Sequence, residues 1–166
     1  MKVRIIQVPY DSGQRSVRMG AGPEHFIQNG LARILQTDGH EVQVESVEAR
    51  SAFRAEIKTA FELCRSLAER VRESDLQGSF PLVLSGNCNS SLGTLGGIGP
   101  QGVGMIWFDA HGDFNTPETK ESSFFDGMGM AIATGHCWRK LAATIPDFSP
   151  LPNSSVIHVG GRDFDP

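Results

Sequence analysis

Short apolar runs alternate with longer stretches of helical period along this chain. Residues 3–8 (Val-Arg-Ile-Ile-Gln-Val) form a β-branched run halted by Pro9, which predicts a buried strand. Pro23 suits a first helical turn, and Ile27, Leu31 and Ile34 mark one face of a helix that Gly39 ends. Residues 41–47 alternate only partly, as a half-buried strand near a sheet edge does. Ser51 is placed to cap a long helix whose inner face reads Phe53, Ile57, Phe61, Cys64, Ala68 and Val71. Residues 81–84 form the next strand. A polar turn over 86–91 leads into a helix of small residues that runs to Gly96 and Gly97. Residues 103–108 read as a central strand, 126–134 and 138–144 as helices, and 156–159 as the last strand. Strands alternating with helices imply an α/β fold, with a largely parallel sheet between two helical layers.

Composition narrows the class. The 166 residues suffice for one domain with its own core, and 39% hydrophobic residues with 19 Gly fit a loop-rich globular protein. Net charge is −4 and no basic run occurs, which argues against nucleic acid as a partner. No apolar stretch approaches the ~18 residues of a membrane span, so no membrane partner is expected. The three cysteines, Cys64, Cys88 and Cys137, are too few and odd in number for a disulfide framework, which suggests a reducing, cytoplasmic setting.

The chemistry concentrates at two strand ends. The run 103–108 leads directly into Asp109, His111 and Asp113 at alternate positions, and the run 156–159 leads into Asp163 and Asp165. In parallel α/β sheets ligands gather where strands end. Carboxylates with one imidazole suit one or two hard or borderline divalent ions such as Mn²⁺. A single Asp in such a place more often caps a helix or holds a turn; five ligands on two strand ends favour metal.

These residues also carry a resemblance. Asp109-Ala110-His111-Gly112-Asp113, followed by Phe114-Asn115-Thr116-Pro117-Glu118-Thr119, resembles the first metal motif of the arginase (ureohydrolase) family. Arg162-Asp163-Phe164-Asp165-Pro166 resembles the second, and residues 8–13 and 18–23 resemble the opening loop. The similarity runs from about Val3 to the last residue and is nearest the arginase branch. It implies a three-layer αβα fold within a single domain over 1–166. That domain would hold the N-terminal and central part of the family's architecture, so the chain is expected to be a fragment or to complete its site with another chain.

The resemblance implies two divalent ions, Mn²⁺ first. Asp109 and Asp163 would bridge them, Asp113 would complete one shell, and His111 with Asp165 the other. The remaining ligand position departs from the family's His: Cys88 stands there. A thiolate would tilt preference toward Zn²⁺, Fe²⁺ or Co²⁺; a neutral thiol would not ligate. A second departure falls seventeen positions after Asp109, where Asp126 replaces a His linked with proton transfer. Asp126 is a candidate proton carrier or the cap of the helix that follows it. Asp113 is a candidate relay of a proton to the leaving amine. Asn115 and Ser122 match positions that contact a substrate's amino-acid head, or else they serve loop hydrogen bonding. Cys64 and His158 read as core residues.

The activity implied is hydrolysis of a guanidino or amidino C–N bond by a metal-bound hydroxide, releasing urea or an analogue. The family's trimers and hexamers imply a homo-oligomer. The rival readings are a catalytically impaired metal-binding or regulatory member, or a subunit that pairs with an active homologue.

Overall fold

The computed structural model describes residues 1–51, 55–119 and 124–164. Its strands and helices are β1 (Lys2–Val8), β2 (Tyr10–Asp11), β3 (Gln14–Arg15), α1 (Gly22–Gln28), α2 (Leu31–Thr37), β4 (Glu41–Ser46), α3 (Glu56–Leu76), β5 (Phe80–Ser85), α4 (Ser91–Ile98), β6 (Met105–Phe108), α5 (Gly129–Ala133), α6 (Arg139–Ala142) and β7 (Val156–Val159). Short 3₁₀ turns at Cys88–Ser90 and Phe125–Met128 matter for the site.

β1 is the centre of a three-stranded parallel sheet ordered β4-β1-β5. Its apolar run is buried on both faces, as a central parallel strand requires: Val3, Ile5, Ile6 and Val8 are all inside. Ile6 and Val8 share a core with Leu63, Leu67 and Val71 of α3, while α1 also contacts β1. Arg4, in the same strand, pairs through Nε with Glu45 (2.6 Å) and through Nη2 with Glu73 (3.2 Å). β4 lies at the sheet edge, with Glu41, Gln43 and Ser46 in solvent and Val42 and Glu45 half-buried.

α3 is the organising helix. Phe61, Cys64, Ala68 and Val71 of its expected inner face are buried, and Ile57 is half-buried; Phe53 lies outside the described residues. α4 lies against α3 so closely that side chains would not fit. A Cβ on Gly93 would stand 2.7 Å from the Cys64 carbonyl oxygen, and one on Gly97 would stand 2.5 Å from Val71 Cβ. The small residues of α4 are therefore the condition for this contact. A second core, of Phe61, Leu92, Phe125, Ile132 and Ile145, joins α3 and α4 to the segment after the site.

Three sequence expectations are corrected. The helix predicted after Pro23 is two helices, broken where Gly30 adopts φ +91°, and Ile34 faces solvent. Ser51 does not cap α3: Ala55 holds the N-cap position, and the Ser51 N–H donates to Glu62 Oε1 at 2.9 Å. The strand expected at 103–108 begins at Met105, and its ladder partner among the described residues is β7 alone. One face of the β6–β7 pair is open, with Ile106 61%, Phe108 77% and Ile157 60% exposed, so β6 lacks the two-sided cover of a central strand here. No ladder joins β6–β7 to the β4-β1-β5 sheet among the described residues.

Candidate metal centre

The site forms where the ends of β5 and β6 meet. After β5 the chain turns sharply at Gly86. A Cβ there would stand 2.4 Å from the Tyr10 carbonyl oxygen and 2.6 Å from the Gly20 nitrogen. Glycine lets the turn pass against the opening loop, and the next residues carry Cys88 to the end of β6. There Cys88 Sγ lies 3.9 Å from Asp109 Oδ2.

Asp109 follows β6, and its N–H donates to the Val159 carbonyl of β7 at 3.1 Å. Its Oδ1 accepts the His111 N–H at 2.9 Å, which fixes the carboxylate and leaves Oδ2 toward Cys88. Asp113 is 7% exposed and adopts φ +49°, a left-handed conformation that Asp tolerates better than most residues. The turn is held because its carbonyl accepts the N–H groups of Met130 (2.9 Å) and Ala131 (3.2 Å) at the start of α5. Its buried Oδ2 has no hydrogen-bond partner among the described residues. Burial, then the charges of Asp109 and Asp126, push the Asp113 carboxyl up to about 6. Burial likewise pushes the Cys88 thiol up, reinforced by the charges of Asp126, Asp113 and Asp109.

One ligand atom each from Cys88, Asp109 and Asp113 lie within 4.8 Å of one another. Donors sharing one ion at ~2.3 Å stand at most about 4.6 Å apart, so a separation at the outer bound would have to close slightly around an ion. A sulfur and two carboxylates at this spacing, one with an orphaned buried oxygen, fit a divalent cation. A bound cation would also reverse the pressures that hold Asp113 and Cys88 in their protonated forms.

The other expected ligands are placed less tightly. The His111 ring is largely exposed, with Nδ1 3.4 Å from Asp109 Oδ1. Asp163 is exposed; its backbone bridges to His111, and its N–H donates to the Ala110 carbonyl at 3.0 Å. The second strand end thus reaches the first, but the His111 and Asp163 side chains do not join the three-residue cluster. Asp165 and Ser122 lie outside the described residues. Asn115 is buried, and Thr119 Oγ1 donates to its Oδ1 at 3.5 Å. Cys64 is core as expected, its thiol pushed up to about 12 by burial. His158 is half-buried, its ring edge-on to Phe164 at 5.5 Å. A mostly apolar cavity of about 290 Å³ lies beside the site, between Gly112, Phe114, Met130, Val156 and His158; the cluster does not line it.

Asp126 does not cap its own helical turn, whose N-cap residue is Phe124. Its carboxylate accepts hydrogen bonds from Asn87 Nδ2 (3.0 Å) and the Asn89 N–H (2.9 Å). The two asparagines went unnoticed in the sequence. The available signal was their position on either side of Cys88 in a strand-to-helix turn, where Asn side chains commonly bind backbone or neighbours. Asp11 was also missed. Buried, it pairs with Arg18 at 2.8 Å, an interaction that holds its carboxyl below the usual range, and Asn87 Nδ2 lies 3.5 Å from its Oδ1.

The sequence pattern of the arginase family matches residues 1–166. The chain is 31% identical to an arginase of Bacillus caldovelox, covering 98% of this chain and 58% of that protein. It is 30% identical to an arginase of Bacillus subtilis with the same coverage. The crystal structure of Bacillus cereus arginase superposes with a TM-score of 0.85 at 29% identity, over 99% of this chain and 58% of that one. A Bacillus subtilis arginase structure gives 0.87 at 26% identity, over 99% and 59%. The chain thus spans a little under three-fifths of the length of these relatives.

Proposed function

The chain belongs to the arginase family, and on that premise we propose that it serves the metal-dependent hydrolysis of a guanidino or amidino C–N bond, with release of urea or an analogue. The observation that supports this is the convergence of Cys88, Asp109 and Asp113 around the unpartnered Asp113 Oδ2. Asp109 and Asp163 would contribute to both divalent ions, Asp113 with Cys88 would complete the shell of one, and His111 with Asp165 that of the other. When bound, such ions supply Lewis acidity and a water of lowered pKa. Mn²⁺ is the ion the carboxylates favour, and the Cys88 sulfur tilts the site toward Zn²⁺, Fe²⁺ or Co²⁺.

The chain's own groups do the rest. The His111 N–H orients Asp109, so this ligand needs no rearrangement to present Oδ2. Asp113 would relay a proton to the leaving amine, the role that the family resemblance implies for this carboxylate. Asn115 and Ser122 would receive the α-amino and α-carboxylate groups of an amino-acid substrate. The active form would be a homo-oligomer.

The test is elemental analysis of the purified protein with urea release from a panel of guanidino compounds. Asp109→Ala should lower bound metal more than Cys88→Ala does, and arginine-like compounds should exceed agmatine, which lacks the carboxylate. Equal metal in Asp109→Ala and parent would overturn the metal centre. Metal without urea release from any compound would favour a catalytically impaired member of the family.

A further inference from the structure

Cys88 is the centre's odd ligand, and its turn is held on one side by Ser85, whose Oγ accepts the Asn87 N–H at 3.2 Å and lies 2.6 Å from Ser90 Oγ, and by the Ser90 N–H, which donates to the Asn87 carbonyl at 3.3 Å. The Cys88–Ser90 turn has no side-chain cap of its own, because its N-cap residue, Asn87, directs its amide elsewhere. Asn87 Oδ1 accepts the Ser12 N–H at 3.2 Å, and Asn87 Nδ2 donates to Asp126 Oδ2. Asp126 Oδ1 then accepts the N–H of Asn89, which is 5% exposed and whose carbonyl accepts the Cys64 thiol at 3.4 Å. The two oxygens of one carboxylate therefore grip the residue before Cys88 and the residue after it. Asp126 is rooted for this task, since it follows Phe125, 1% exposed in the core, and precedes Gly127, whose carbonyl accepts the Asn115 N–H at 3.2 Å.

We propose that Asp126 is a positioning residue that clamps the Asn87–Asn89 turn from outside and so presents the Cys88 sulfur to Asp109 and Asp113 before any ion arrives. Asp126 acts as a cap delivered across the fold: a charged acceptor satisfies a helical-turn N–H that a local Ser or Asp would otherwise take. The clamp stands on the hydrogen bonds alone. Its consequence for metal rests on the proposed metal centre.

The experiment compares the parent with Asp126→Ala and Asp126→Asn. Amide exchange of the 86–91 segment is followed by mass spectrometry in metal-free buffer. Co²⁺ is then added and the thiolate-to-cobalt absorption recorded. In Asp126→Ala, exchange at 87–90 should rise about tenfold, the scale of losing a helix cap, while α3 amides stay protected. The thiolate band should fall several-fold although Co²⁺ still binds. Asp126→Asn keeps one acceptor, so an intermediate rise confined to the same residues is expected. Parent-like exchange and a full thiolate band in Asp126→Ala would overturn the clamp. If Asp126→Ala loses protection throughout α3, it has misfolded and Asp126→Asn decides: a rise confined to 87–90 supports the clamp, and parent-like exchange overturns it. A parent with no cobalt absorption, beside an Asp126→Ala with a loosened turn, would refute the metal centre and uphold the clamp.

Discussion

Replacing Asp113 by Asn should stabilise the metal-free protein at neutral pH while removing a ligand. In the folded chain the Asp113 carboxyl is pushed from its ordinary 3.8 to about 6, mainly by burial. Folding therefore holds the proton more tightly than the unfolded chain does. The sign follows: stability from this group is fully present below about pH 4 and declines as pH rises to about 6, where the buried carboxylate becomes charged. At ~1.4 kcal/mol per pH unit, the gap caps the penalty near 3 kcal/mol. Solvent screening at the mouth of the site reduces this to roughly 1.5 kcal/mol. Asn is neutral, keeps an acceptor oxygen and tolerates the left-handed backbone that Asp113 adopts at φ +49°. Urea unfolding with a chelator present should show Asp113→Asn more stable than parent by roughly 1–2 kcal/mol at pH 8, and equal to it near pH 4. In a chain of this size that corresponds to about 2–8 °C in Tm. A variant no more stable than parent at pH 8, or a gain of the same size at both pH values, would refute the reasoning.

Cys88→His should move metal preference toward Mn²⁺, because imidazole is harder than thiolate; an unchanged order in competition titrations would remove Cys88 from the ligand set. Gly97→Ala separates two opposing effects. Helix propensity alone predicts a gain of about 1 kcal/mol, but the new Cβ would meet Val71 Cβ at 2.5 Å and the Ala68 carbonyl oxygen at 2.7 Å, so thermal unfolding should show a net loss of about 1–3 kcal/mol. A rise in Tm would mean that α3 and α4 are not in this contact. Arg4→Met should be milder than an unpaired buried charge, whereas Glu45→Gln with Glu73→Gln together should cost more, since they leave the Arg4 guanidinium buried without its partners; denaturant midpoints of the two variants test the order.

The legible parts of the fold were those governed by period and punctuation. β1, β4, β5, β7 and the inner face of α3 follow from runs of Val, Ile and Leu and from the stops at Pro9 and Gly39. Gly30 was the unread signal inside an otherwise helical pattern, and its φ of +91° splits that helix. The open face of β6–β7 cannot be read from the apolar pattern of the two strands themselves. An apolar strand looks the same in sequence whether one face or both are covered, and only tertiary packing decides. At the candidate site, the convergence of Asp109 and Asp113 was legible because both follow one strand at alternate positions. The task of Asp126 was not, because it depends on a partner 37 residues away, and a lone carboxylate before a helical segment reads as a local cap.

The division of the sheet has a practical corollary. Cys88 follows β5 of one sheet piece, and Asp109 follows β6 of the other, with no ladder between the pieces among the described residues. Of the three cysteines, Cys64 and Cys137 are buried and Cys88 is exposed. Desolvation and the neighbouring carboxylates disfavour its thiolate, so Cys88 should label slowly but ahead of the buried pair, and a thiol-reactive spin label or fluorophore added to the natural sequence would then mark this one seam. Its signal would record how far the two pieces shift against each other, without any engineered attachment point.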